Sequence, residues 1–207
     1  MGKPRRSPSG EQRKRDPERT RERILDAAFI EFSEHGFAGA RTGAIAARAG
    51  VNQQLISYYF DGKDGLYRAL QRTWETTNGA ARPDLPLAEI VSGFLTPGAP
   101  QRSWARLLAW EGLAPAEPPT EPDADPVTDA YFAAMVDDMR RRQQAGELAA
   151  DLDPAYVQVL LFAATLAPTV LPQVVRRMTG LAADSPEFLH AYAEQLRRVI
   201  ARFAEPI

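Results

Sequence analysis

Residues 53–60 combine amide, hydroxyl and aromatic side chains at helical spacing. Ile56 and Phe60 lie four residues apart, so both would face the protein interior on one side of a helix. The opposite side of that helix then presents polar groups, on Gln53, Gln54, Ser57 and Tyr58. Side-chain amides can pair with adenine through two hydrogen bonds, and hydroxyl groups can donate to bases or phosphates. This segment therefore predicts a helix whose exposed face binds DNA.

A second helix and a tight turn must hold this face in place. Ile45, Ala46 and Ala49 follow the i, i+1, i+4 pattern of one buried helical face, in a helix expected to begin near residue 42. Gly50 tolerates a positive φ, and Asn52 is of a type that caps helices. Two short helices joined in this way are typical of a helix-turn-helix, whose second helix enters the major groove.

The flanking residues complete an N-terminal domain. Residues 1–17 mix proline, serine and glycine with six Lys and Arg side chains, which predicts a disordered basic tail. A first helix is expected over about residues 17–36 and a fourth over about 63–77. Residues 18–78 are therefore predicted to form one N-terminal domain. It consists of a three-helix helix-turn-helix head followed by this fourth helix.

The rest of the chain, residues 79–207, keeps a helical pattern and has no convincing strand. Residues 115–126 hold five prolines and four acidic residues, which predicts a surface loop. Asp153-Pro154 and Ser185-Pro186 each place a capping residue before a proline that opens a helix. The expected helices cover residues 87–95, about 104–113, 127–145, 154 onward with a kink or break at Pro168 and Pro172, and 186 onward. The chain is thus predicted to be all-α, with a larger helical domain after the head.

Charge and composition limit the functions that the chain can have. Residues 1–72 hold 14 basic and 9 acidic side chains, whereas the remainder holds 11 and 18. A basic N-terminal third suits phosphate binding. The chain has no cysteine, which excludes disulfides, thiolate metal sites and cysteine nucleophiles. His35 and His190 are isolated and no glycine-rich phosphate loop is present, so no catalytic residue, metal or cofactor is predicted.

The chain has no evident signal peptide or membrane span. Its N-terminus is basic and polar, without an apolar core segment. Val157–Leu171 falls short of the roughly 20 apolar residues that span a bilayer. We therefore expect a buried helix at this position, a cytoplasmic protein and no membrane partner.

Four motifs follow one another in residues 19–75 in a specific order. They are Arg-Glu-Arg-Ile-Leu-Asp-Ala-Ala-Phe, Phe-Ser-Glu-His-Gly-Phe, Ile-Ala-Ala-Arg-Ala-Gly-Val and Leu-Ile-Ser-Tyr-Tyr-Phe-Asp-Gly-Lys-Asp-Gly-Leu-Tyr. This series resembles the tetracycline-repressor (TetR) family of bacterial regulators. The resemblance implies a ligand-responsive homodimeric repressor that binds a palindromic operator in double-stranded DNA and is released by a small-molecule effector. It also implies that residues 79–207 form a ligand-binding and dimerisation domain.

Individual DNA contacts follow partly from side-chain chemistry and partly from the resemblance. Gln53 and Gln54 are predicted to read bases, and Leu55 to touch a thymine methyl group. Ser57 is predicted to donate to a base or a phosphate, although many family members carry an aromatic residue there. By resemblance, the phosphate contacts are expected from Thr42, Tyr58, Tyr59 and Lys63, with Arg41 as a further candidate.

The resemblance also implies a ligand pocket in the C-terminal domain. Its expected lining residues are Trp104, Trp110, Tyr131, Phe132, Met135, Met139 and Phe162. Aromatic and methionine residues at helical spacing also occur as ordinary core, so both interpretations stay open here.

Two other classes of function remain open at this point. An architectural or adaptor protein would have the same head, but would bind another protein in place of a small molecule. Its C-terminal domain would then need no internal cavity. An enzyme has little support, because the chain offers few groups for catalysis.

Overall fold

The computed structural model describes residues 10–78, 84–96, 99–114 and 126–204, which form helices with no strand among them. In chain order the helices are α1 (Gly10–Gly39), α2 (Thr42–Ala49), α3 (Gln54–Phe60), α4 (Gly62–Asn78), α5 (Leu87–Gly93), α6 (Ala99–Leu113), α7 (Pro126–Gln144), α8 (Pro154–Val170), α9 (Pro172–Thr179) and α10 (Pro186–Ala201), with a short 3-10 helix at Arg202–Ala204. The prediction of an all-α chain is confirmed.

The chain divides into two compact units, and the boundary falls inside α4, between Gln71 and Arg72. This boundary precedes the one predicted at residue 78. The last turns of α4 pack within the second unit, where the Trp74 ring stacks on Trp104 with centroids 4.7 Å apart.

The first unit is built from α1, α2, α3 and the start of α4. Side chains of all four helices are fully buried in its core: Ile24, Phe32, Ile45, Ile56 and Leu66. The two helices of the predicted helix-turn-helix are short, and isolated helices of this length are unstable in water. Burial of their apolar residues against α1 and α4 therefore holds them in place.

Helix α1 begins earlier than predicted. It is helical from Gly10 and continues through Pro17, whereas the predicted disordered tail ran to residue 17. The Glu, Gln, Arg and Lys residues before Pro17 favour a helix, and the proline removes only one backbone donor. The remainder of the predicted tail, residues 1–9, lies outside the described residues.

Gly36 interrupts α1 at the place where the first helix was predicted to end. Its φ of 67° lies in the region that glycine adopts most easily. The chain turns there so that the Phe37 ring packs against Phe32 and Tyr67, with centroid distances of 6.0 and 5.1 Å.

The second unit has its own hydrophobic core. Its buried members come from α5, α7, α8, α10 and the segments after α5 and α7: Leu87, Val91, Leu95, Met139, Leu148, Val157, Leu161, Ala193, Leu196 and Ile200. The predicted surface loop at residues 115–126 lies outside the described residues, except for Pro126, which opens α7.

Two helices of this unit, α8 and α10, begin at the predicted capping residues Asp153 and Ser185. The Asp153 carboxylate accepts a hydrogen bond of 2.8 Å from the backbone N–H of Ala155. The Ser185 hydroxyl accepts one of 3.2 Å from the N–H of Phe188. Each bond satisfies a backbone donor at a helix start that has no partner within the helix.

Helices α8 and α9 are separated by a sharp bend. Pro168 lies inside α8, and Pro172 opens α9 after a break at Leu171. Within the described part of the chain, no single helix is long and apolar enough to cross a membrane. Helices α8 and α9 reach that length and composition only when counted together, and they are bent by 87° relative to each other. The expected buried helix is buried on one face only, because Val159 and Leu160 are largely exposed.

A buried arginine connects three segments of the second unit. Arg142 Nε donates to Asp138 Oδ2 at 2.8 Å, and its Nη1 donates to the Leu85 carbonyl and to Glu147 Oε2, both at 3.0 Å. Burial alone would lower the pKa of Arg142, but the bonds and charges of Asp138 and Glu147 raise it above its ordinary value. Arg142 therefore stays charged and ties α7 to the segments before α5 and before α8.

Candidate nucleic-acid interface

Helix α3 is held in the first unit by its apolar side. Ile56 and Phe60 are buried, as the spacing predicted. Asn52 Oδ1 accepts a hydrogen bond of 2.9 Å from the Gln54 N–H, so Asn52 caps α3. Asp61, whose φ is 59°, ends the helix after 7 residues, which is less than two turns.

The turn between α2 and α3 is fixed from two directions. Gly50 has a φ of 64°, and its N–H donates to the Ala47 carbonyl at 3.1 Å. Arg23 of α1 donates to the carbonyls of Ala49 and Gly50, the latter at 3.3 Å. This role of Arg23 was not predicted, because a contact over 27 residues leaves no local pattern. This arginine positions the turn and thereby α3.

The exposed side of α3 carries the predicted DNA-binding groups. Tyr58 is 79% exposed, and Gln53, Gln54 and Ser57 are also exposed. Leu55 and Tyr59 are half-buried, so each presents only part of its side chain. The Tyr58 and Tyr59 rings contact each other edge to face at 5.0 Å. The surface combines amide, hydroxyl and phenol groups with some apolar area, as major-groove readers do.

Two of the predicted DNA contacts bind each other. Gln53 Nε2 donates to the Thr42 hydroxyl at 2.8 Å. This bond joins the start of α2 to the start of α3 and holds the Gln53 amide in one orientation. Arg41, directly before α2, is exposed, and its own N–H donates to the buried Glu31 carboxylate at 3.3 Å. Arg41 and Thr42 therefore stand where the unpaired N–H groups of a helix start favour an anion.

Lys63 lies in the first turn of α4 and is half-buried. Its ammonium lies over the Phe37 ring, 4.7 Å from the centroid, and Nζ is 3.4 Å from the Ala38 carbonyl oxygen. An ammonium has three N–H donors, so Lys63 can also donate to a phosphate. The ring and the carbonyl restrict its position, which lowers the entropy cost of such a contact.

An ion-pair cluster connects α1 to α2. Arg48 lies 3.3 Å from Glu34 and 4.0 Å from the buried Glu31. Together with His35, these two carboxylates could place three ligand atoms within 4.8 Å of one another. Because Arg48 supplies the positive charge beside both carboxylates, the cluster is explained as an ion pair within the protein.

The second unit contains a cavity of about 150 Å³ with an apolar and aromatic lining. Four of the predicted pocket residues line it, namely Trp104, Tyr131, Met135 and Phe162. Burial and the nearby Glu75 charge raise the pKa of Tyr131, whereas a hydrogen bond from Trp74 opposes this shift. The Tyr131 hydroxyl therefore stays protonated at neutral pH.

Three residues that we predicted for this pocket lie elsewhere. Trp110 is 45% exposed and Phe132 is also exposed, while Met139 belongs to the hydrophobic core of the unit. Trp110 is six residues from Trp104, and this spacing places the two rings on different sides of α6. The lining residues that sequence reasoning missed include Trp74, Phe94, Gln101, Asp138, Gln158 and Thr165. Gln158 and Thr165 share one face of α8 at i, i+7, whereas the others lie on α4, α6 and α7 or directly after α5, and no local spacing joins them.

The fold and the exposed face of α3 define a DNA-binding regulator of the helix-turn-helix class. Residues 24–70 match the family model "Bacterial regulatory proteins, tetR family", and residues 99–205 match "Tetracyclin repressor-like, C-terminal domain". The chain belongs to the TetR family, and the predicted resemblance is confirmed. Regulators of this family bind DNA and act as dimers.

Individual relatives agree with this assignment. The chain is 32% identical to the HTH-type transcriptional repressor SCO4008 of Streptomyces coelicolor, over 80% of this chain and 86% of that protein. It is 29% identical to the HTH-type transcriptional regulator RutR of Escherichia coli, over 88% and 89% of the two chains. The crystal structure of the transcriptional regulator SCO4942 from Streptomyces coelicolor superposes with a TM-score of 0.68 at 25% identity, covering 87% and 96%. These relatives are named as regulators of transcription and not as enzymes.

Proposed function

We propose that this chain is a homodimeric repressor that binds a palindromic operator and leaves it when a small molecule binds the second unit. The observation that carries this proposal is the exposed face of α3, where Gln54, Ser57 and Tyr58 project from a helix anchored by two buried residues. The first unit would bind DNA, and the second would bind the effector and a second copy of the chain. Because its target is DNA, we expect the protein to act in the bacterial cytoplasm.

The second copy would cover an apolar stripe on the second unit. Tyr156, Val159 and Leu160 follow the i, i+3, i+4 spacing of one face of α8, and all three are largely exposed. Val199 of α10 is also exposed. Apolar surface of this kind usually marks a protein contact. Sedimentation of the chain should accordingly give twice its mass of 22.8 kDa.

The cavity supports a small-molecule effector over the adaptor alternative, which requires no internal space. The effector would favour a state in which the two α3 helices no longer match half-sites about 34 Å apart. A coupling of about 1–3 kcal/mol between the two sites would be enough for such control.

Selection of bound sequences from a random DNA pool at two salt concentrations tests the proposal. A dimer should enrich a palindrome whose half-sites are separated by about one helical turn. Binding that depends on salt but selects no sequence would contradict specific readout, because phosphate contacts alone give that behaviour. It would favour the architectural alternative.

Gln54→Ala should relax the base preference at one position in each half-site. A bidentate amide contact contributes about 1–3 kcal/mol of discrimination, and alanine removes both hydrogen bonds. The measurement is a competition binding assay over all single-base operator variants. Gln144→Ala, which changes an exposed glutamine at the end of α7, is the control. An unchanged preference at every position would show that Gln54 does not read a base.

Lys63→Met should weaken binding to all sequences equally and lower the salt dependence. Methionine keeps an unbranched side chain beside Phe37 but removes the charge. Loss of one phosphate contact per protomer should reduce the slope of log K against log salt by about 0.9 for each contact. Arg68→Met removes a charge from an exposed position on the same helix and is the control. A slope equal to that of the native protein would contradict the assigned phosphate contact.

A further inference from the structure

The second unit also contains an open cleft, with a volume of about 590 Å³. Residues of α6, α8, α9 and α10 line it, together with the segments after α5 and before α10. Phe94, Gln101 and Thr165 line both this cleft and the cavity, so the two spaces are neighbours. Small-molecule sites usually have volumes of about 300–1,000 Å³. The cleft is therefore large enough to hold a ligand of its own.

Buried apolar side chains form the floor of the cleft. Leu95, Ala183 and Leu189 line it and are buried, and so is Pro168 of α8. They come from four different segments of the second unit, which pack together at this point. An apolar floor of this kind favours the hydrocarbon part of a ligand, because binding removes apolar surface of both partners from water.

The charged side chains of the cleft are mostly positive. Among the described lining residues they are Arg102, Arg106, Arg176 and Asp184, so three positive charges stand against one negative charge. The chain around them has the opposite balance, since residues 73–207 hold 11 basic and 18 acidic side chains. A concave site with an excess of one charge concentrates ligands of the opposite charge. The cleft therefore favours an anion although it belongs to the acidic part of the chain.

Only one of the three arginines has its charge paired within the described part of the chain. Arg102 lies 3.3 Å from Asp184, which joins α6 to the segment before α10. Arg106 follows Arg102 by four residues, so both lie on one side of α6. Arg106 and Arg176 form no ion pair with any described residue. Two guanidinium groups from different helices are thus available, and each has the planar geometry that binds a carboxylate through two hydrogen bonds.

We propose that this cleft binds an organic anion, an apolar molecule with one carboxylate group, to which Arg106 and Arg176 donate hydrogen bonds. The apolar part of the ligand would lie on the floor formed by Leu95, Ala183 and Leu189. The inference goes beyond the proposed function, because it adds a ligand site beside the cavity that we assigned to the effector.

Three probes of similar size and different charge test the preference for an anion: 3-phenylpropionate, 3-phenyl-1-propanol and 3-phenylpropylammonium. Binding is measured by titration calorimetry on the full chain at low salt, where charge interactions are least screened. The propionate should bind at least about tenfold more tightly than the alcohol, because its carboxylate accepts charged hydrogen bonds from two arginines. The ammonium should bind more weakly than the alcohol.

Arg106→Met and Arg176→Met should each weaken binding of the propionate by about threefold or more, and the double variant by about tenfold or more. Binding of the alcohol should not change. Arg177→Met is the matched control, because Arg177 is the next residue of α9 and is exposed, but does not line the cleft. These arginines are exposed, so the variants should fold like the native chain.

Asp184→Asn should have the opposite effect and tighten binding of the propionate by about threefold or more. The change removes the one negative charge of the described lining and leaves Arg102 without its ion pair, so a third guanidinium becomes available to the ligand. Glu187→Gln is the control, since Glu187 is an exposed acidic residue at the start of α10 that does not line the cleft. Its effect should be smaller than that of Asp184→Asn.

Sulfate tests whether the apolar floor contributes, because it has negative charge but no apolar part. It should bind at least about tenfold more weakly than the propionate. Equal binding of sulfate and propionate, equal binding of propionate and alcohol, or no binding of the propionate would each overturn the inference. So would equal losses in Arg176→Met and Arg177→Met, which would show attraction to the surface in general. The repressor proposal would stand in all of these cases, since its effector cavity is a different space.

Discussion

Ile56→Ala is expected to destabilise the first unit by about 2–5 kcal/mol and to abolish operator binding. Ile56 is 1% exposed and, with Phe60, anchors the seven residues of α3. A helix this short does not persist by itself, so its position depends on those two side chains. Removing the isoleucine leaves a cavity under the exposed face of α3, so α3 loses its fixed position even where the unit stays folded.

Circular dichroism during urea denaturation measures this effect on the helices. All three tryptophans follow residue 72, so their fluorescence reports the second unit separately. Ile30→Ala is the matched control, because Ile30 belongs to the same unit and is 39% exposed. Its substitution should cost less than about 1 kcal/mol. Equal losses for the two variants, or full operator binding by Ile56→Ala, would contradict the anchoring role of Ile56.

Arg142→Met is expected to lower the free energy of unfolding of the second unit by about 3–5 kcal/mol. The Arg142 side chain is 4% exposed and binds Asp138, Glu147 and the Leu85 carbonyl. Methionine fills similar space, but it leaves the two carboxylates without this partner and the carbonyl without its donor. The loss should appear in urea denaturation followed by tryptophan fluorescence.

Arg141→Met provides a control on the same carboxylate. Arg141 also pairs with Asp138, at 2.7 Å, but its side chain is 52% exposed. An exposed pair contributes less than about 1 kcal/mol, so this variant should remain close to the native stability. Similar losses in both variants would show that the burial of Arg142 is not what makes its ion pairs important.

Local signals predicted most of the helices and the polar face of α3. Periodicity identified Ile56 and Phe60 as the buried side of α3, and their burial leaves the polar side chains exposed. Capping chemistry located the starts of α8 and α10 at Asp153 and Ser185. Each of these signals acts within about one turn of helix, so a single sequence contains all the information that the prediction needs.

The start of α1 and the pocket were predicted less well. Pro17 suggested a helix start, although helix formers before it extend α1 to Gly10. Trp110 and Phe132 are aromatic like the cavity residues Trp104 and Tyr131, but they are exposed. Residue type alone does not say which side of a helix faces a cavity, because that depends on how several helices pack.

The sequence by itself determined the family, the all-α class, the turn at Gly50 and the polar face of α3. Spacing and capping decide these features, and both are properties of neighbouring residues. The tertiary structure alone decided the bonds from Gln53 to Thr42 and from Arg23 to Gly50, and the burial of Glu75 with a hydrogen bond from Thr128. These features join residues of different helices, and their distances exist only after the helices have packed.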